Sequence, residues 1–455
     1  MAEKPALLRQ IGLTGATALV ISNMIGTGIF TTTGFLAGDL GDVSTVLAIW
    51  VVGAICALAG AFCYSELGIN FPSSGGEYVY LTEAFGPAAG FMVGWISFVA
   101  GFSGPIALAA LAFAKYVIYF FPASKQEIVV FAIADLKVGP AQLIACAVVT
   151  LFTILNLFGI DKISKIQNVL TGAKLVVIIG FIALGFLTGD GNWANFTQSA
   201  IRTSTNSIPF QFSLSLLFVY VSYSGWNAAT YVAEELKNPE RNLPLALTIG
   251  TLFVALLFLG LNLVFIYAQP LEQMKGVEAI GALSASHLFG QQVSGIFCGL
   301  MALSLLATVN AMVTIGPRVY YAMAKNKAFF PSAAFVHENW RTPIYSILTQ
   351  GAFAMVIALV TPFSQLIFFI GFLLNVFSVI AVGSLFLFRK RTRWQKLSIV
   401  NFAWPLFPVF YVMTGSWIAV IGIWKNPTVS LACLATVAIG AAAYQIWLAP
   451  KRIAA

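Results

Sequence analysis

The chain has 455 residues, of which 59% are hydrophobic and only 9% are charged, against roughly a quarter charged in ordinary soluble domains. A soluble fold of this length could not cover its surface with so little charge, so most of that surface faces lipid. The net charge of +8 forms no basic stripe and punctuates the apolar runs instead, which excludes a nucleic-acid groove and reads as a topology signal.

Apolar runs near the ~20 residues that cross a bilayer as helix predict twelve spans. Six fall near 11–37, 44–69, 89–119, 141–159, 167–188 and 209–233. Six more fall near 245–268, 293–321, 343–360, 364–388, 403–424 and 429–449. The expected fold is an all-α membrane protein, one domain over 1–455 with short loops. Many runs follow the first, so it reads as a retained span and not as a cleaved signal peptide. In the third run Gly101, Gly104 and Pro105 interrupt a long, tilted helix.

An even number of spans puts both termini on one side. Setting them in the cytoplasm places most of the 24 Lys and Arg there, as the positive-inside rule requires. The densest group is Arg389, Lys390, Arg391, Arg393 and Lys396. It reads as a solvated inner loop, with an anionic-lipid site as the sharper alternative. The outer loop after the first span carries Asp39 and Asp42 and no base. Cys56, Cys63, Cys146, Cys298 and Cys433 all lie in apolar runs, so no disulfide between loops is expected.

The first span holds Ile25-Gly26-Thr27-Gly28-Ile29 at its middle. Two glycines around a small hydroxyl weaken a helix and open its backbone to another group; alone, the pattern reads equally as close helix packing. Five spans later the sixth carries Ser222-Tyr223-Ser224-Gly225-Trp226-Asn227 at its own middle. Paired interruptions in two five-span sets, 11–188 and 209–388, point to inverted repeats with a binding site between the breaks, and 403–449 supplies two extra helices. An unwound turn leaves N–H groups free at one half-helix and C=O groups free at the other. The N–H ends attract a carboxylate and the C=O ends an ammonium. Together they match a zwitterion without any charged side chain.

Four stretches make the sequence recognisable: MIGTGIF (24–30), YSELGINFPSSGGEYVYL (64–81), SGWNAATYVAEELKNPERNLP (224–244) and GPRVYYAMAKNKAFFP (316–331). They resemble the amino acid–polyamine–organocation superfamily, in particular bacterial relatives of the L-type amino acid transporters. The resemblance implies a carrier of amino acids in a bacterial inner membrane, with two inverted five-helix repeats plus two helices and with no cofactor. It implies that the substrate carboxylate meets Thr27 with the amides of Gly28 and Ile29. The substrate ammonium would meet carbonyls of Met24 and of Val221–Ser224, with Gly26, Gly225, Trp226 and Asn227 completing the two breaks. Family members often close an aromatic residue over the substrate four positions before the glycine of helix 6. Here that position is Val221, so Tyr220 or Tyr223 serves instead or the gate is looser. The outer loop between spans 3 and 4 holds no cysteine, so the disulfide-linked accessory subunit of animal relatives is not expected.

Lys174 lies about 8 residues inside span 5, roughly 12 Å deep in a ~30 Å core. Ionisable groups at that depth usually mark the transport pathway; a lysine merely facing a watery vestibule is the plain alternative. The resemblance implies that its ammonium sits where sodium binds in other members of the fold, between helices 1 and 8. Its expected partners are carbonyls of Val20, Ile21 and Asn23 and the face of helix 8 at Ser304 and Thr308. Sodium-independent transport follows as an expectation, by exchange or by proton coupling, since a buried lysine can also carry a proton.

Glu66, Glu234 and Glu235 stand at the cytoplasmic ends of spans 2 and 6. They read as end caps and loop ion pairs, or as parts of an inner gate. Spans 1, 3, 6, 8 and 10 hold no Asp or Glu before Glu234, which favours neutral amino acids over cationic amino acids or polyamines. An intramembrane enzyme lacks parts, because His287 and His337 are expected in loops and no catalytic set falls at mid-depth. A channel would need a filter or a selectivity ring, and neither is visible.

Overall fold

The computed structural model describes residues 9–73, 75–118, 121, 131–133, 136–158, 160–361 and 363–448. The chain ends, and the expected span limits at 119, 159 and 449, lie outside the described residues.

The first apolar run forms two helices, α1 (Leu13–Met24) and α2 (Gly28–Leu40). The second forms α3 (Val43–Asn70), capped where the Asp42 carboxylate accepts from the Thr45 N–H at 2.9 Å. A short helix α4 (Glu77–Phe85) follows. The third run is α5 (Pro87–Ile96), a π-helical turn over Ser97–Ser103, and α6 (Gly104–Ile118). These join into one span, Pro87–Ile118. Gly101, Gly104 and Pro105 therefore loosen the helix without ending it, as single π turns do.

Two short strands, β1 (Phe131–Ile133) and β2 (Leu136–Val138), pair antiparallel with Phe131 opposite Val138. This hairpin lies between the membrane helices and leaves the expected all-α membrane fold in place. Its two apolar stretches are too short to span, and pairing satisfies their backbone.

The chain continues as α7 (Pro140–Leu155), α8 (Ile160–Leu187) and α9 (Ile208–Tyr223), the last followed by 3₁₀ turns over Ala228–Glu235. Next come α10 (Pro239–Ala268), α11 (Leu271–Met274) and α12 (Ile280–Lys325). The last of these bends at Gly290, so His287, expected in a loop, stands on the short helix before the bend. The remaining helices are α13 (Ile344–Val360), α14 (Phe363–Gly383), α15 (Leu385–Phe388), α16 (Ser398–Phe402), α17 (Leu406–Lys425) and α18 (Pro427–Ala443). Among the described residues nine helices are long and apolar enough to cross a membrane, and α7 and α13 are shorter apolar helices. The protein is a multi-pass membrane protein.

Packing sorts most of the helices into two groups. In one, α10 lies against α1 and α3 while α9 lies against α2 and α3. In the other, α12 lies against α6, α8 and α13, and α7 joins α6 and α13. The two interrupted helices thus belong to the same group and face the long helix α12 of the other. Hydrogen bonds tie chain segments together near both ends of the interrupted helices. At one end the Gln10 and Ile11 N–H groups donate to Glu235 O, each at 3.0 Å. The Arg318 guanidinium reaches the Glu235 carboxylate at 2.8 Å on the same side. At the other end Gly276 donates to Gly34 O at 3.0 Å and Thr203 to Gly38 O at 2.9 Å.

Candidate functional site

The α1 helix stops because Gly26 turns back, its N–H donating to Met24 O at 2.9 Å, two residues behind it. The helix resumes at Gly28. Among the described residues no acceptor takes the N–H groups of Thr27, Gly28 or Ile29, while Phe30 donates to Thr27 O at 3.1 Å. Three free donors at a helix start are an anion site in waiting. Thr27 and Ile29 are buried, so these donors are not simply solvated.

The second interruption lies against the first. After Tyr223 the chain leaves the helix at Ser224 and passes through Gly225 at φ +99°, which an L side chain rarely adopts. A Cβ at Gly225 would stand 2.8 Å from the carbonyl carbon of Asn23 on α1. A Cβ at Gly28 would stand 2.4–2.6 Å from Ser222, its Cα included. The two breaks touch through bare backbone, with Thr32 and Ser222 hydroxyls 2.9 Å apart beside them. Not every expected carbonyl is open. Val221 O already accepts from both the Ser224 N–H and the Ser224 hydroxyl, which uses both of its lone pairs, and Met24 O accepts from Gly26, which leaves it one.

Lys174 is buried with three partners. Its ammonium donates to Ile25 O at 2.6 Å, Thr308 Oγ1 at 2.8 Å and Ser22 O at 3.2 Å. Thr308 in turn donates to Ile25 O at 2.8 Å. The placement between helices 1 and 8 is as expected, but the carbonyls differ. They are those of Ser22 and Ile25, not Val20, Ile21 and Asn23, because the break turns Ile25 O out of the helical ladder. Ser304 turns back to Met301 O of its own helix. Below Lys174 a chain of amides extends the contact. Gln167 donates to Ser22 Oγ at 2.6 Å, Asn310 to Gln167 at 2.6 Å and Asn156 to Asn310 at 3.0 Å.

On the other side of the breaks lies a cavity of about 60 Å³, on the scale where about 10–15 Å³ holds one water. Asn23, Ser224, Gly225, Trp226 and Asn227 line it together with Phe102, Tyr231, Met312 and Ser378. Of the two tyrosines offered as gates, Tyr220 lines it and bonds through its hydroxyl to Ser378 at 2.5 Å and to Tyr411. Tyr223 turns away to donate to Trp50 O at 3.1 Å. Val221 packs on Gly371, whose Cβ would lie 2.3 Å from a Val221 methyl, and is not among the residues lining the cavity.

Several residues of this cavity are not among the expected site residues, Phe102, Tyr231, Met312, Ser378 and, most consequentially, Glu77. Glu77, at the start of α4, is 7% exposed and lines it. Its Oε1 accepts from Asn227 Nδ2 at 2.5 Å and from the Tyr64 hydroxyl at 3.0 Å. Its Oε2 is buried with no hydrogen bond of proper geometry among the described residues. Burial pushes this carboxyl above its ordinary value, against the pull of Tyr231, Tyr64 and Asn227. The neighbourhood therefore holds an acid after all, supplied by the short helix between spans and not by the spans themselves.

Of the other candidate carboxylates, Glu66 and Glu235 are paired. Glu66 is fully buried and takes both nitrogens of Arg389, at 2.5 and 2.6 Å, with Trp394 Nε1 at 2.8 Å. That clasp ties α3 to the basic cluster after α15, so Arg389 serves the fold. Glu235 ties the end of the sixth span to Arg318 of α12. Glu234 beside it is half-buried.

A sequence profile of amino acid permeases matches residues 11–447, and so covers both breaks, Lys174 and Glu77. The chain is 27% identical to the large neutral amino acids transporter small subunit 2 of Mus musculus, over 96% of this chain and 81% of that protein. It is 28% identical to the Asc-type amino acid transporter 1 of Mus musculus, over 94% of this chain and 79% of that protein. It is also 28% identical to the serine/threonine exchanger SteT of Bacillus subtilis (strain 168), over 99% of this chain and 98% of that protein. The chain belongs to the amino acid permease family, whose members are transporters and not enzymes.

Proposed function

We propose that this permease exchanges small neutral L-amino acids across the cytoplasmic membrane of a bacterium by alternating access, without sodium. The observation that carries the proposal is the meeting of the two breaks, where free amides of Thr27, Gly28 and Ile29 stand beside the backbone of Ser222–Gly225. The amides hold the substrate carboxylate, and the open lone pair of Met24 O with the carbonyls of Ser222–Ser224 holds its ammonium. The cavity volume suits a side chain of a few heavy atoms. The name of the serine/threonine exchanger agrees with small neutral substrates, and that of the large neutral amino acids transporter with neutral ones.

The architecture we assign is twelve spans. To the nine long helices are added α7, α13 and the interrupted pair formed by α9 and the 3₁₀ turns. Residues 11–188 and 209–388 form inverted repeats, 403–449 the extra pair, and both termini are cytoplasmic, as the charge bias supports. Lys174 occupies the sodium position and makes sodium unnecessary. No accessory subunit is required, since the loop between spans 3 and 4 offers no cysteine.

Glu77 favours a second reading, a carrier of cationic amino acids or polyamines, because a buried carboxylate facing a cavity is a natural partner for a base. Counterflow in proteoliposomes decides between them. Liposomes loaded with unlabelled alanine should accumulate labelled alanine, and lysine or putrescine outside should not compete. Competition by lysine at lower concentration than alanine would establish the second reading.

A further inference from the structure

We infer that Glu77 selects substrates by their side chain, and that the group it selects is a hydroxyl. The inference rests on the exchanger reading, because the substrate is taken to be an amino acid anchored at the two breaks. Three observations carry it. Glu77 lines one cavity with Asn23, Ser224 and Gly225 at the edge of the two breaks, and that cavity is taken as the side-chain pocket. The carboxyl is fixed, because Tyr64 and Asn227 hold Oε1 from two sides. The other oxygen, Oε2, is buried and makes no hydrogen bond of proper geometry among the described residues, with the Tyr231 hydroxyl the further group that pulls on the carboxyl.

An unmet buried polar atom is costly, and the cost is removed when a ligand brings the missing partner. Three kinds of side chain can be weighed. A methyl group offers nothing to Oε2 in any protonation state. An ammonium pairs with the carboxylate only when it is ionised, and burial works against that form. A hydroxyl both donates and accepts, so it completes Oε2 whether or not Glu77 carries a proton. The cavity also limits length, since about 60 Å³ suits serine or threonine better than a long basic chain. Sites built to bond a substrate hydroxyl reject the analogue without it strongly, because their own polar group is then left unpaired.

The test compares threonine with valine, which have nearly the same shape and differ by a hydroxyl for a methyl. Competition against labelled alanine in proteoliposomes gives an inhibition constant for each on wild type, Glu77→Ala and Glu77→Gln. Wild type should prefer threonine by about tenfold to a hundredfold, the range of the cost of leaving one buried polar group unpaired. In Glu77→Ala the preference should fall to within about twofold, by loss of threonine binding and not by gain of valine. In Glu77→Gln, where the amide still offers a hydrogen bond at the Oε2 position, part of the preference should return. Because each variant is read as a ratio within itself, a general loss of active protein cancels, and Glu77→Gln stands in if Glu77→Ala does not fold.

An unchanged ratio in both variants overturns the inference. So does equal weakening of threonine and valine, which would place Glu77 in the transport cycle and not in selection. Stronger binding of 2,4-diaminobutyrate than threonine by wild type would show that the carboxylate takes a cation. If wild type exchanges no amino acid at all, the reading beneath the inference falls with it, and that outcome is distinct from an exchanger indifferent to the hydroxyl.

Discussion

Two ionisable groups flank the meeting of the broken helices, and they are treated in opposite ways. Lys174 is 1% exposed and complete, its ammonium shared among Ile25 O, Thr308 Oγ1 and Ser22 O. Glu77 is 7% exposed and incomplete, one oxygen accepting two hydrogen bonds and the other none of proper geometry among the described residues. A buried charge satisfied by the protein holds the protein in shape, whereas one left open by the protein is available to something else. The lysine side is therefore read as the hinge of the machine and the carboxyl side as its ligand face. Each prediction below attacks that division.

The largest effect is expected at Lys174. Lys174→Ala leaves two carbonyls and a hydroxyl buried without their donor, at about 1–3 kcal/mol for each unpaired group. Ile25 O keeps Thr308, so the damage concentrates on the link from α8 to the first break. Labelled alanine uptake should fall by at least an order of magnitude in reconstituted liposomes. Near-normal rates would show that the ammonium is a passenger in the seam.

Next in size is Gly28→Val, which attacks the contact between the two regions. The sequence alone suggests that a side chain here fills the substrate's space. The structure gives a different reason for the same outcome, since the added Cβ meets the Ser222 Cα, and backbone cannot swing aside. Overpacking of this kind costs about 1–3 kcal/mol. The purified variant should melt lower than wild type and lose the stabilisation that alanine confers. A variant that keeps the wild-type ligand shift would place the site away from this break.

How much of this was legible beforehand follows from where each group sits in the chain. Lys174 announced itself because an apolar helix surrounds it, and its depth followed from counting residues along that helix. The breaks were legible because glycines and hydroxyls stood where aliphatic residues belong. The carbonyls that hold Lys174 were not, since their identity depends on how Ile25 turns after the helix ends. Glu77 escaped because it follows Ser-Ser-Gly-Gly, which reads as an exposed loop. Only the fold shows that this loop leads α4 back beneath the cavity, where the motif's Glu77 meets Asn227 of the other half. The short hairpin at 131–138 escaped for a similar reason, as a few residues between spans carry no period.

A smaller effect is expected at the gate. Val221 rests on Gly371, so Val221→Phe should wedge α9 from α14. It should weaken alanine, threonine, leucine and phenylalanine by similar factors, at about 1–3 kcal/mol. Tyr220 lines the cavity and is held by Ser378 and Tyr411. Tyr220→Phe keeps the ring and frees it from those hydroxyls, and should shift the four competition curves unequally by about 1 kcal/mol. Equal shifts for Tyr220→Phe and unequal ones for Val221→Phe would reverse the assignment.

The smallest effect, none at all, is expected when sodium is replaced by choline at constant ionic strength. A sodium ion at the seam between α1 and α12 would need the oxygens that Lys174 already holds, Ile25 O at 2.6 Å and Thr308 Oγ1 at 2.8 Å. It would also stand about 4 Å from a fixed positive charge, a repulsion of about 4 kcal/mol at an effective dielectric of 20. That is roughly a thousandfold in affinity, enough to keep the position free of sodium at ordinary salt. Equal alanine uptake in the two salts is the expected result, and a strict sodium requirement would mean that the ammonium leaves this place during the cycle. Lys174→Ala sharpens the comparison, because it opens the same oxygens and removes the repelling charge. If the seam has the shape of a sodium site with its ion replaced by a side chain, whatever uptake remains in that variant should rise with sodium while wild type stays indifferent.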